Sequence, residues 1–418
     1  MADSLSVPAA CDVLVVGAGP AGSACAQRLA RTGIDTVLAD AQAFPRDKVC
    51  GDGLIPDAHA ALQRLGVHDE VMARAQRMRH VSCVGPRGGR IDVPGRLAVL
   101  PRRQLDDILC RAAQRAGAAF LAPLRFERPL LEGERVVGAR LRAGDTTHDV
   151  RARQVVLATG AVPQALIAAG LCQRRAPSAV ALRGYVHNPA MSGRITELEV
   201  VWHKRLSRGY GWIFPCPGGV FNIGVGLIDS HAKLRDGRQT MRDVNLRQMF
   251  AAFCEVYPPA RDLVRTGTSQ GDLKGAPLRC SLDGATLTRP GILVTGEAAG
   301  STYAFTGEGI GKALETGMLA ASTLIEAQSA APAASAVAAF DAAHAPYEAA
   351  MAALKPRFDL YERANRVNEH PWLADLLIWR AKHHPYLLQR MAGVLEETSN
   401  PGSLVTVRGV LRVLWPTR

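Results

Sequence analysis

Residues 12–40 read DVLVVGAGPAGSACAQRLARTGIDTVLAD, and this stretch decides the fold. The apolar run from Asp12 to Val16 is typical of a buried strand, and it ends at a glycine-rich turn. A helical pattern follows from Pro20 to about Thr32, Gly33 stops it, and a second apolar strand runs from Thr36 to Asp40. Strand, helix and strand in this order predict a βαβ unit with two parallel strands.

The glycine-rich turn has the GxGxxG spacing of a dinucleotide site. Glycine at 17 permits the tight turn, glycine at 19 lets the main chain approach a pyrophosphate, and glycine at 22 allows close helix packing. The pyrophosphate would lie on the helix N-terminus, where free N–H groups and the helix dipole favour negative charge. The predicted cofactor contacts of this turn are Gly17, Gly19, Pro20, Ala21 and Gly22.

Asp40, at the end of the second strand, is placed to bind ribose hydroxyls. A 2′-phosphate at this position would meet a like charge, so the site favours FAD or NAD over NADP.

A second glycine-rich segment favours FAD. The apolar strand Ile292 to Thr295 runs into GEAAG at 296–300, and TGEGI at 306–310 begins a helix. The acid at 297 can bind the ribitol chain, and the helix N-terminus can stabilise negative charge on a reduced flavin. No second GxGxxG of comparable quality occurs, so a nicotinamide donor, NADPH or NADH, would visit transiently; a ferredoxin-type donor is the alternative.

The composition is that of a globular protein without a nucleic-acid footprint. The chain has 418 residues and a formal charge of +12, and its arginines are dispersed rather than grouped. Such a field suits an anionic membrane surface, an acidic carrier protein or a phosphorylated substrate. Nine scattered cysteines without a CxxC argue against a metal site and for a reducing compartment. Without a signal peptide or a membrane-spanning stretch, we expect a cytoplasmic protein, at most peripheral to a membrane.

The rest of the chain predicts three regions. Residues 1–175 and 281–326 form a discontinuous Rossmann-type α/β domain, which includes a helix from Leu105 to Ala116 and a strand from Gln154 to Ala158 that closes on Thr159-Gly160. Residues 176–280 alternate β-branched and aromatic residues and predict an inserted antiparallel sheet for the substrate. Residues 327–418 predict a helical region, which begins with an Ala/Pro-rich connector from Ala327 to Ala339.

The motifs together resemble the geranylgeranyl reductase family, within the wider class of flavoproteins that includes the aromatic hydroxylases. The matching blocks are residues 17–22, FPRDKVCGDGL at 44–54, GYGWIFP at 209–215, and GEAAGSTYAFTGEGI at 296–310. The resemblance implies FAD as cofactor and the reduction of isolated carbon–carbon double bonds in an isoprenoid chain, such as a geranylgeranyl-type lipid or a prenylated quinone.

The resemblance also implies site residues. Arg102, ahead of Leu105-Asp106, matches an arginine that contacts FAD, and Cys50 matches a cysteine kept close to the flavin. The block around Tyr210 would line the substrate cavity above the flavin ring. The remaining implied or predicted cofactor contacts are Lys48, Gly51, Thr159, Gly160, Gly296, Glu297, Gly307, Gly309 and Ile310.

Two positions depart from the family pattern. Glu297 stands where aspartate is usual and lengthens the reach to the ribitol, while Ala304 stands where a proline commonly precedes the Thr-Gly-Glu-Gly turn. The second departure bears on the substrate more than on FAD.

Cys50 is the candidate acid for alkene reduction, because a thiol with a pKa of about 8.5 is protonated near neutrality. The alternative is that Cys50 is a small apolar residue beside the flavin. Tyr210, Trp212 and Phe214 alternate on a strand and therefore share one face, where they could wall an apolar channel or form an ordinary sheet core. The cluster of His203, Lys204 and Arg205 is more typical of a solvated face.

Other functions share the scaffold, because fold does not fix chemistry. The first alternative is an FAD-dependent monooxygenase of an aromatic or carrier-bound substrate. Quinone-linked dehydrogenases and non-catalytic flavin sensors also remain open, whereas the Trp-x-Trp-x-Ile-Pro block of flavin halogenases is not found.

Overall fold

The computed structural model describes residues 6–206, 208–228, 244–330 and 336–401. Each of the three predicted regions lies partly outside these ranges. The residues outside are 1–5 of the predicted Rossmann-type domain, 207 and 229–243 of the predicted sheet domain, 331–335 of the predicted connector and 402–418 of the predicted helical region.

All strands that the structure describes lie between residues 10 and 294. In chain order the strands are β1 (Ala10–Val16), β2 (Thr36–Ala39), β3 (Gly53–Leu54), β4 (Gln76–Val84), β5 (Arg90–Val99), β6 (Ala119–Leu121), β7 (Arg125–Glu132), β8 (Arg135–Ala143), β9 (Thr146–Leu157), β10 (Ala179–His187), β11 (Leu198–Val201), β12 (Gly209–Cys216), β13 (Val220–Ile228), β14 (Thr268–Ser269), β15 (Lys274–Leu278), β16 (Thr288–Arg289) and β17 (Ile292–Val294).

Helices dominate the C-terminal part. They are α1 (Pro20–Arg31), α2 (Pro56–Leu65), α3 (His68–Met72), α4 (Arg102–Arg115), α5 (Gln164–Ala168), α6 (Leu246–Val256), α7 (Pro258–Thr266), α8 (Ile310–Ala330), α9 (Ala336–Ala342), α10 (His344–Ala364), α11 (Arg366–Glu369), α12 (Trp372–His383) and α13 (Pro385–Leu395). Short 3₁₀ turns lie at Pro189–Met191, Lys204–Leu206, Pro217–Gly219 and Gly296–Ala299.

The first sheet is parallel at its centre. Its neighbouring strands run β17, β9, β1, β2 and β6, and all four pairings among them are parallel. In this register Leu14 of β1 lies between Val37 and Val155. The predicted βαβ unit and the α/β fold class are therefore confirmed. An antiparallel extension of β7 and β8 continues from β9, and β16 pairs with β17.

Several boundaries differ from the sequence expectation. Strand β2 ends at Ala39 rather than Asp40, whose side chain bonds to the neighbouring main chain. Strand β9 begins at Thr146, eight residues before the predicted start at Gln154, because β8 supplies a partner for its polar first half. Helix α4 begins at Arg102 rather than Leu105. The connector, for which the sequence allows a flexible or a loosely helical chain, is helical at both ends, in α8 and α9.

Helix α1 is packed on main chain at two points. A Cβ atom at Gly22 would lie 1.7 Å from the carbonyl oxygen of Gly17, and a Cβ atom at Gly317 would lie 2.1 Å from that of Ala21. Glycine is therefore required where α1 leaves β1 and again where α8 crosses α1. The two contacts join the glycine turn, α1 and α8 into one close-packed unit.

The second sheet is mainly antiparallel and has the order β14, β10, β13, β12, β11, β4, β5, β3, with β15 also paired to β10. Within residues 176–280, where the sequence predicts an antiparallel sheet, the structure places β11, β12 and β13 side by side in the centre of this sheet. Strands β3, β4 and β5, from residues 53–99, also belong to this sheet, through a parallel pairing of β4 with β11. The domain boundaries themselves stay a prediction.

Helices α6 and α7 lie within the stretch that alternation marked as sheet, and they cover one face of β10 to β13. Asn245 caps α6, since its side chain accepts from the N–H groups of Arg247 and Gln248 at 3.1 Å. An asparagine ahead of an apolar periodic run is a helix-start signal, so this helix could have been found in the sequence.

The C-terminal helices pack against the second sheet. Helices α12 and α13 contact β4 and β5, and the indole N–H of Trp202 donates to Asn368 Oδ1 at 2.8 Å. Among the helices that the structure describes, none combines the length and the apolar run that crossing a bilayer requires. These helices thus close one side of the space between the two sheets.

Candidate functional site

The glycine turn presents an open cradle to the space between the sheets. Gly17 has φ of 103°, in the left-handed region, and a Cβ atom at Gly19 would meet only the guanidinium groups of Arg46 and Arg102, at 3.7 and 3.9 Å. Helix α1 begins directly behind it without a side-chain cap or an acidic residue in its first turn. Free N–H groups and two cations therefore converge on one gap, which suits a pyrophosphate.

Asp106 holds both of these cations. Its fully buried carboxylate accepts a bidentate pair from Arg102, at 2.6 and 2.8 Å, and a further bond from Arg46 at 2.9 Å. Arg102 was expected to contact the cofactor, but Arg46 and Asp106 were not singled out. A carboxylate four residues after an arginine on one helix face was the signal available in the sequence.

Asp40 lies beside the glycine turn, and both of its carboxylate oxygens accept hydrogen bonds from the main chain. Its Oδ2 accepts from the N–H of Ala18 at 2.8 Å, its Oδ1 accepts from the N–H of Gln42 at 2.9 Å, and Arg46 Nε lies 3.4 Å from Oδ1. Asp40 therefore stabilises the turn itself. Its predicted role toward ribose hydroxyls stays a prediction.

The second glycine-rich segment faces the same space. Glu297 accepts from Thr302 Oγ1 at 3.4 Å, and its other carboxylate oxygen would lie 3.9 Å from a Cβ atom at Gly160. Thr159 Oγ1 is buried without a hydrogen-bond partner in this structure. A buried hydroxyl without a partner is costly, so a polar ligand group is the natural complement at this place.

A cavity of about 950 Å³ joins these features. It extends from the glycine turn past Cys50 and the second sheet to the C-terminal helices. Of the predicted site residues, Gly22 and Gly296 lie behind the wall, and the following line the cavity: Gly17, Gly19, Pro20, Ala21, Asp40, Lys48, Cys50, Gly51, Arg102, Thr159, Gly160, Tyr210, Trp212, Phe214, Glu297, Gly307, Gly309 and Ile310.

Four aromatic rings form a ladder along one wall of the cavity. The ring centroids of Trp202, Tyr210, Trp212 and Phe214 follow one another at 6.2, 6.3 and 6.3 Å. The Tyr210 hydroxyl donates to the carbonyl of Thr306 at 2.9 Å, which ties the ladder to the TGEGI turn. The alternation predicted the last three rings on one face, whereas Trp202 comes from the end of β11 and was missed.

Asn222 lies on β13, the strand paired with β12, and its side chain bonds to the ladder and to the segment around Cys50. Its Oδ1 accepts from the Trp212 indole at 2.9 Å, while its Nδ2 donates to the Cys50 carbonyl and to Asp52 Oδ2, both at 2.7 Å. The indole nitrogen can only donate, so the orientation of the amide follows from the bonding.

Asp52 is fully buried in the cavity wall and was also missed. It accepts from the N–H of Arg102, from Asn222 and from the Tyr185 hydroxyl. Burial raises the pKa of Asp52 to about 6, against the hydrogen bonds, which act in the other direction. Its place between two glycines was the signal in the sequence for an unusual backbone conformation. In the structure Asp52 has a φ of 65°, in the left-handed region.

Cys50 lies at the floor of the cavity and packs against the apolar cluster around α2 and α4. Burial raises the pKa of the Cys50 thiol, although Arg102 and Lys48 lower it. The thiol is therefore protonated near neutral pH, as an acid requires, and the same burial fits the packing alternative.

The far end of the cavity is apolar. Side chains from β4, β5 and β11 face side chains from the C-terminal helices across it. These residues are Val81, Val93, Leu97, Leu198, Val200, Val367, Leu377, Met391, Val394 and Leu395. The space suits a long apolar group and contains no predicted site residue.

Comparison with known proteins supports this picture. Residues 10–187 match the family model described as an FAD binding domain. The menaquinone reductase of Mycolicibacterium smegmatis is 33% identical over 327 residues, which cover 74% of this chain and 75% of that protein. Digeranylgeranylglycerophospholipid reductase 1 of Methanopyrus kandleri is 29% identical over 328 residues, 76% of this chain and 80% of that protein.

Solved structures share the fold. A geranylgeranyl bacteriochlorophyll reductase-like protein of Thermoplasma acidophilum superposes with a TM-score of 0.70 and 22% identity, over 97% of this chain and 96% of that one. A flavin-dependent brominase superposes with a TM-score of 0.66 and 19% identity, over 93% and 92%. Because reductases and a halogenase share the architecture, the fold alone does not choose between them.

Asp106→Asn tests the arrangement of the two cations. We expect the free energy of unfolding of the FAD-free protein to fall by about 3 kcal/mol, because two guanidinium groups lose their buried counter-ion. The loss should be smaller with FAD, since the pyrophosphate supplies negative charge beside the same groups. Chemical unfolding with and without FAD measures both. Asp107→Asn, whose partner Arg111 is exposed, is the matched control and should change little. If the free energy of unfolding fell equally with and without FAD, the pyrophosphate would not lie beside these two guanidinium groups.

Proposed function

Since this chain belongs to the geranylgeranyl reductase family of FAD-dependent oxidoreductases, we propose that it reduces carbon–carbon double bonds in the isoprenoid chain of a lipid. The observation that carries the proposal is the single cavity that begins at the glycine turn and ends among apolar side chains. One end of the cavity is polar and suits a dinucleotide, and the other end is apolar and suits a hydrocarbon chain. The two ends meet at Cys50 and the aromatic ladder.

The residues at the polar end fit FAD. The main chain at Gly19 and the first turn of α1 would hold the pyrophosphate together with Arg46 and Arg102. Glu297 would bind the ribitol chain. Reduced FAD, when bound, supplies the hydride for the double bond.

The apolar end would take the prenyl chain. Trp212 and Phe214 offer ring faces along one wall, and Leu377 and Met391 lie among the residues that line the cavity from the C-terminal helices. Such walls exclude water from the reacting carbons, which protects the hydride and strengthens interactions with the polar groups that remain. The similarity to menaquinone reductases favours a prenylated quinone over other isoprenoid lipids.

Cys50 would hold the proton that the second carbon receives. Its thiol is half-buried in the cavity floor, between the cofactor end and the ladder, and its raised pKa keeps it protonated. The electrons would come from a transient nicotinamide donor or a ferredoxin-type protein.

The outer surface of α12 and α13 favours contact with an anionic membrane. Trp372, Trp379 and Tyr386 are 58%, 53% and 70% exposed, and Arg380 and Lys382 lie in the last turn of α12. Aromatic rings with neighbouring cations are the side chains that prefer the headgroup region of a bilayer. Because the same helices line the apolar end of the cavity, a lipid could enter there without crossing water.

The reaction itself is tested by anaerobic reduction of the yellow protein and addition of prenylated quinones or prenyl lipids. We expect substrate-dependent reoxidation of the flavin and a product heavier by two hydrogens per reduced bond, measured by mass spectrometry. Oxygen incorporation that begins only when air is admitted would replace the proposal with a monooxygenase.

Cys50→Ser tests the thiol. We expect flavin reoxidation by substrate to slow by about 10² or more, with FAD content unchanged, because a serine hydroxyl is a much weaker acid. Cys254→Ser, half-buried on α6 and outside the cavity, is the control. A rate within about twofold of the unmodified protein would leave Cys50 with a packing role only.

Replacing Trp372, Trp379 and Tyr386 together with Ser tests the membrane contact. We expect binding to vesicles of mixed phosphatidylglycerol and phosphatidylcholine to weaken by about tenfold, and the binding of the unmodified protein to weaken with salt. Leu131→Ser, an equally exposed apolar residue on β7, is the control and should bind as before. If the triple variant sedimented with vesicles to the same extent as the unmodified protein, the proposed membrane contact of α12 and α13 would be wrong.

A further inference from the structure

A second cavity, of about 510 Å³, lies between α2 and α8. Its lining is polar and charged, in contrast to the first cavity. The lining residues that carry charge are Asp57, Arg64, Lys312, Glu315, Glu396 and Glu397. None of them was singled out in the sequence, and none is used by the proposed reaction as described so far.

Lys312 organises the inner end of this second cavity. Its side chain is only 2% exposed, and its Nζ lies 2.6 Å from Glu315, 2.7 Å from Glu397 and 3.3 Å from Asp57. These carboxylates raise the pKa of Lys312 despite its burial, so the ammonium ion persists at working pH. The lysine therefore gathers three carboxylates from α2, α8 and the segment after α13.

Asp57 has an oxygen with no hydrogen-bond partner. Oδ1 accepts from the N–H of Ala58 at 2.6 Å, whereas Oδ2 contacts Lys312 without hydrogen-bond geometry and is buried. The Asp57 side chain is 10% exposed, and burial raises its pKa to about 6. A buried carboxylate oxygen that receives no hydrogen bond is a place where a proton or a water molecule is readily accepted.

Glu308 lies on the other side, in the wall of the first cavity. Its Oε1 accepts from the N–H of Gly311 at 2.6 Å, and burial, with the nearby Asp57, raises its pKa well above the usual range. This favours the neutral form, which carries a proton. Gly311 also touches Asp57, since a Cβ atom there would lie 2.4 Å from Asp57 Oδ2. Both carboxyl groups thus lie against the same glycine.

We propose that Glu397, Asp57 and Glu308 form a proton-transfer path from the second cavity to the first, with Lys312 holding the outer two carboxylates in position. The path rests on the proposed function in one respect, namely that the reaction consumes protons in a cavity whose far end is apolar. Glu397 receives the proton from water, Asp57 passes it beside Gly311, and Glu308 releases it into the first cavity.

The proton balance requires such a supply. Saturation of one double bond adds two electrons and two protons, which form two C–H bonds as the carbon–carbon π bond is lost. Reduced FAD, when bound, would supply the electron pair and one hydrogen as hydride and would be oxidised in doing so, and the second hydrogen must arrive as a proton. Whichever group touches the carbon must then be protonated again before the next bond is reduced.

Other groups surround the path and set its charge. Tyr303 donates to Glu397 at 2.9 Å, and Arg357 pairs with Glu397 at 2.7 Å. Tyr361 stacks on Tyr303, with ring centroids 3.8 Å apart. Among the described residues, the ionisable neighbours of the path are Tyr210, Tyr303, Glu315, Arg357 and Tyr361, together with Arg64 and Glu396, which line the second cavity. Two cations, Lys312 and Arg357, thus hold the Glu397 carboxylate in place at the second cavity.

Three variants interrupt the path in different ways. Glu308→Gln and Asp57→Asn remove one proton carrier each while keeping size and polarity. Gly311→Ala keeps both carboxyl groups but displaces Asp57, because the added methyl group occupies the position of its Oδ2. Glu132→Gln, an exposed partner of Arg151 on β7, is the control. Bound flavin, measured by absorbance, verifies that each variant is folded.

The first measurement does not need a substrate. Photoreduction of the bound flavin draws one proton from a weakly buffered solution, and a pH indicator follows its uptake. We expect uptake to be slowed by about tenfold or more in all three path variants and unchanged in Glu132→Gln. In infrared spectra, a D₂O-sensitive C=O stretch of a protonated carboxyl should be present in the unmodified protein and absent from Glu308→Gln. Unchanged uptake in Glu308→Gln and Asp57→Asn would overturn the path.

The second measurement adds a prenylated quinone. In the path variants, reoxidation of reduced flavin by substrate should slow and its pH profile should change, while Glu132→Gln behaves as the unmodified protein. If no isoprenoid reoxidises the unmodified protein, the proposed function fails, and the photoreduction experiment still decides whether the path exists. If substrate reoxidation is retained and proton uptake is unaffected, the path fails and the proposed function stands.

Discussion

The close contact of main chain with main chain along α1 is the constraint on which the rest of the structure depends. Because Gly22 touches the carbonyl of Gly17 and Gly317 touches that of Ala21, there is no room for a side chain at either glycine, where α1 meets the glycine turn and where α8 crosses α1. The N-terminus of α1 therefore points into the gap between the sheets, and α8 must cross directly over it. The TGEGI turn at the start of α8 is thereby brought to the same cavity as the glycine turn, although almost three hundred residues separate them.

Much of this arrangement could be predicted from local sequence. The βαβ unit, the glycine spacing and the strand ahead of GEAAG are short-range patterns, and the structure contains all three. The alternation at Tyr210, Trp212 and Phe214 also correctly predicted rings on one face. Local patterns succeeded here because turn geometry and side-chain direction are set within a few residues.

What the sequence did not reveal depends on distant pairing. Strand β4 joins the second sheet by pairing with β11, and its charged residues hide the alternation that a half-buried strand usually shows. The bond between Asn222 and Asp52 joins residues 170 positions apart, and the contact of Lys312 with Asp57 joins two helices that are remote in sequence. Buried polar groups acquire partners only when the chain is folded, so composition and spacing carry little information about them.

The bonding of Asp52 has a consequence for what the cavity can admit. Trp212 can only donate, so Asn222 must turn its amide nitrogen toward Asp52, and Tyr185 and the N–H of Arg102 add two more donors. The protein thus does for this carboxylate what a hydration shell would do in water. A molecule that enters beside it therefore meets an anion whose hydrogen bonds are already made within the protein, so that a hydrocarbon can pass without leaving this carboxylate unsatisfied.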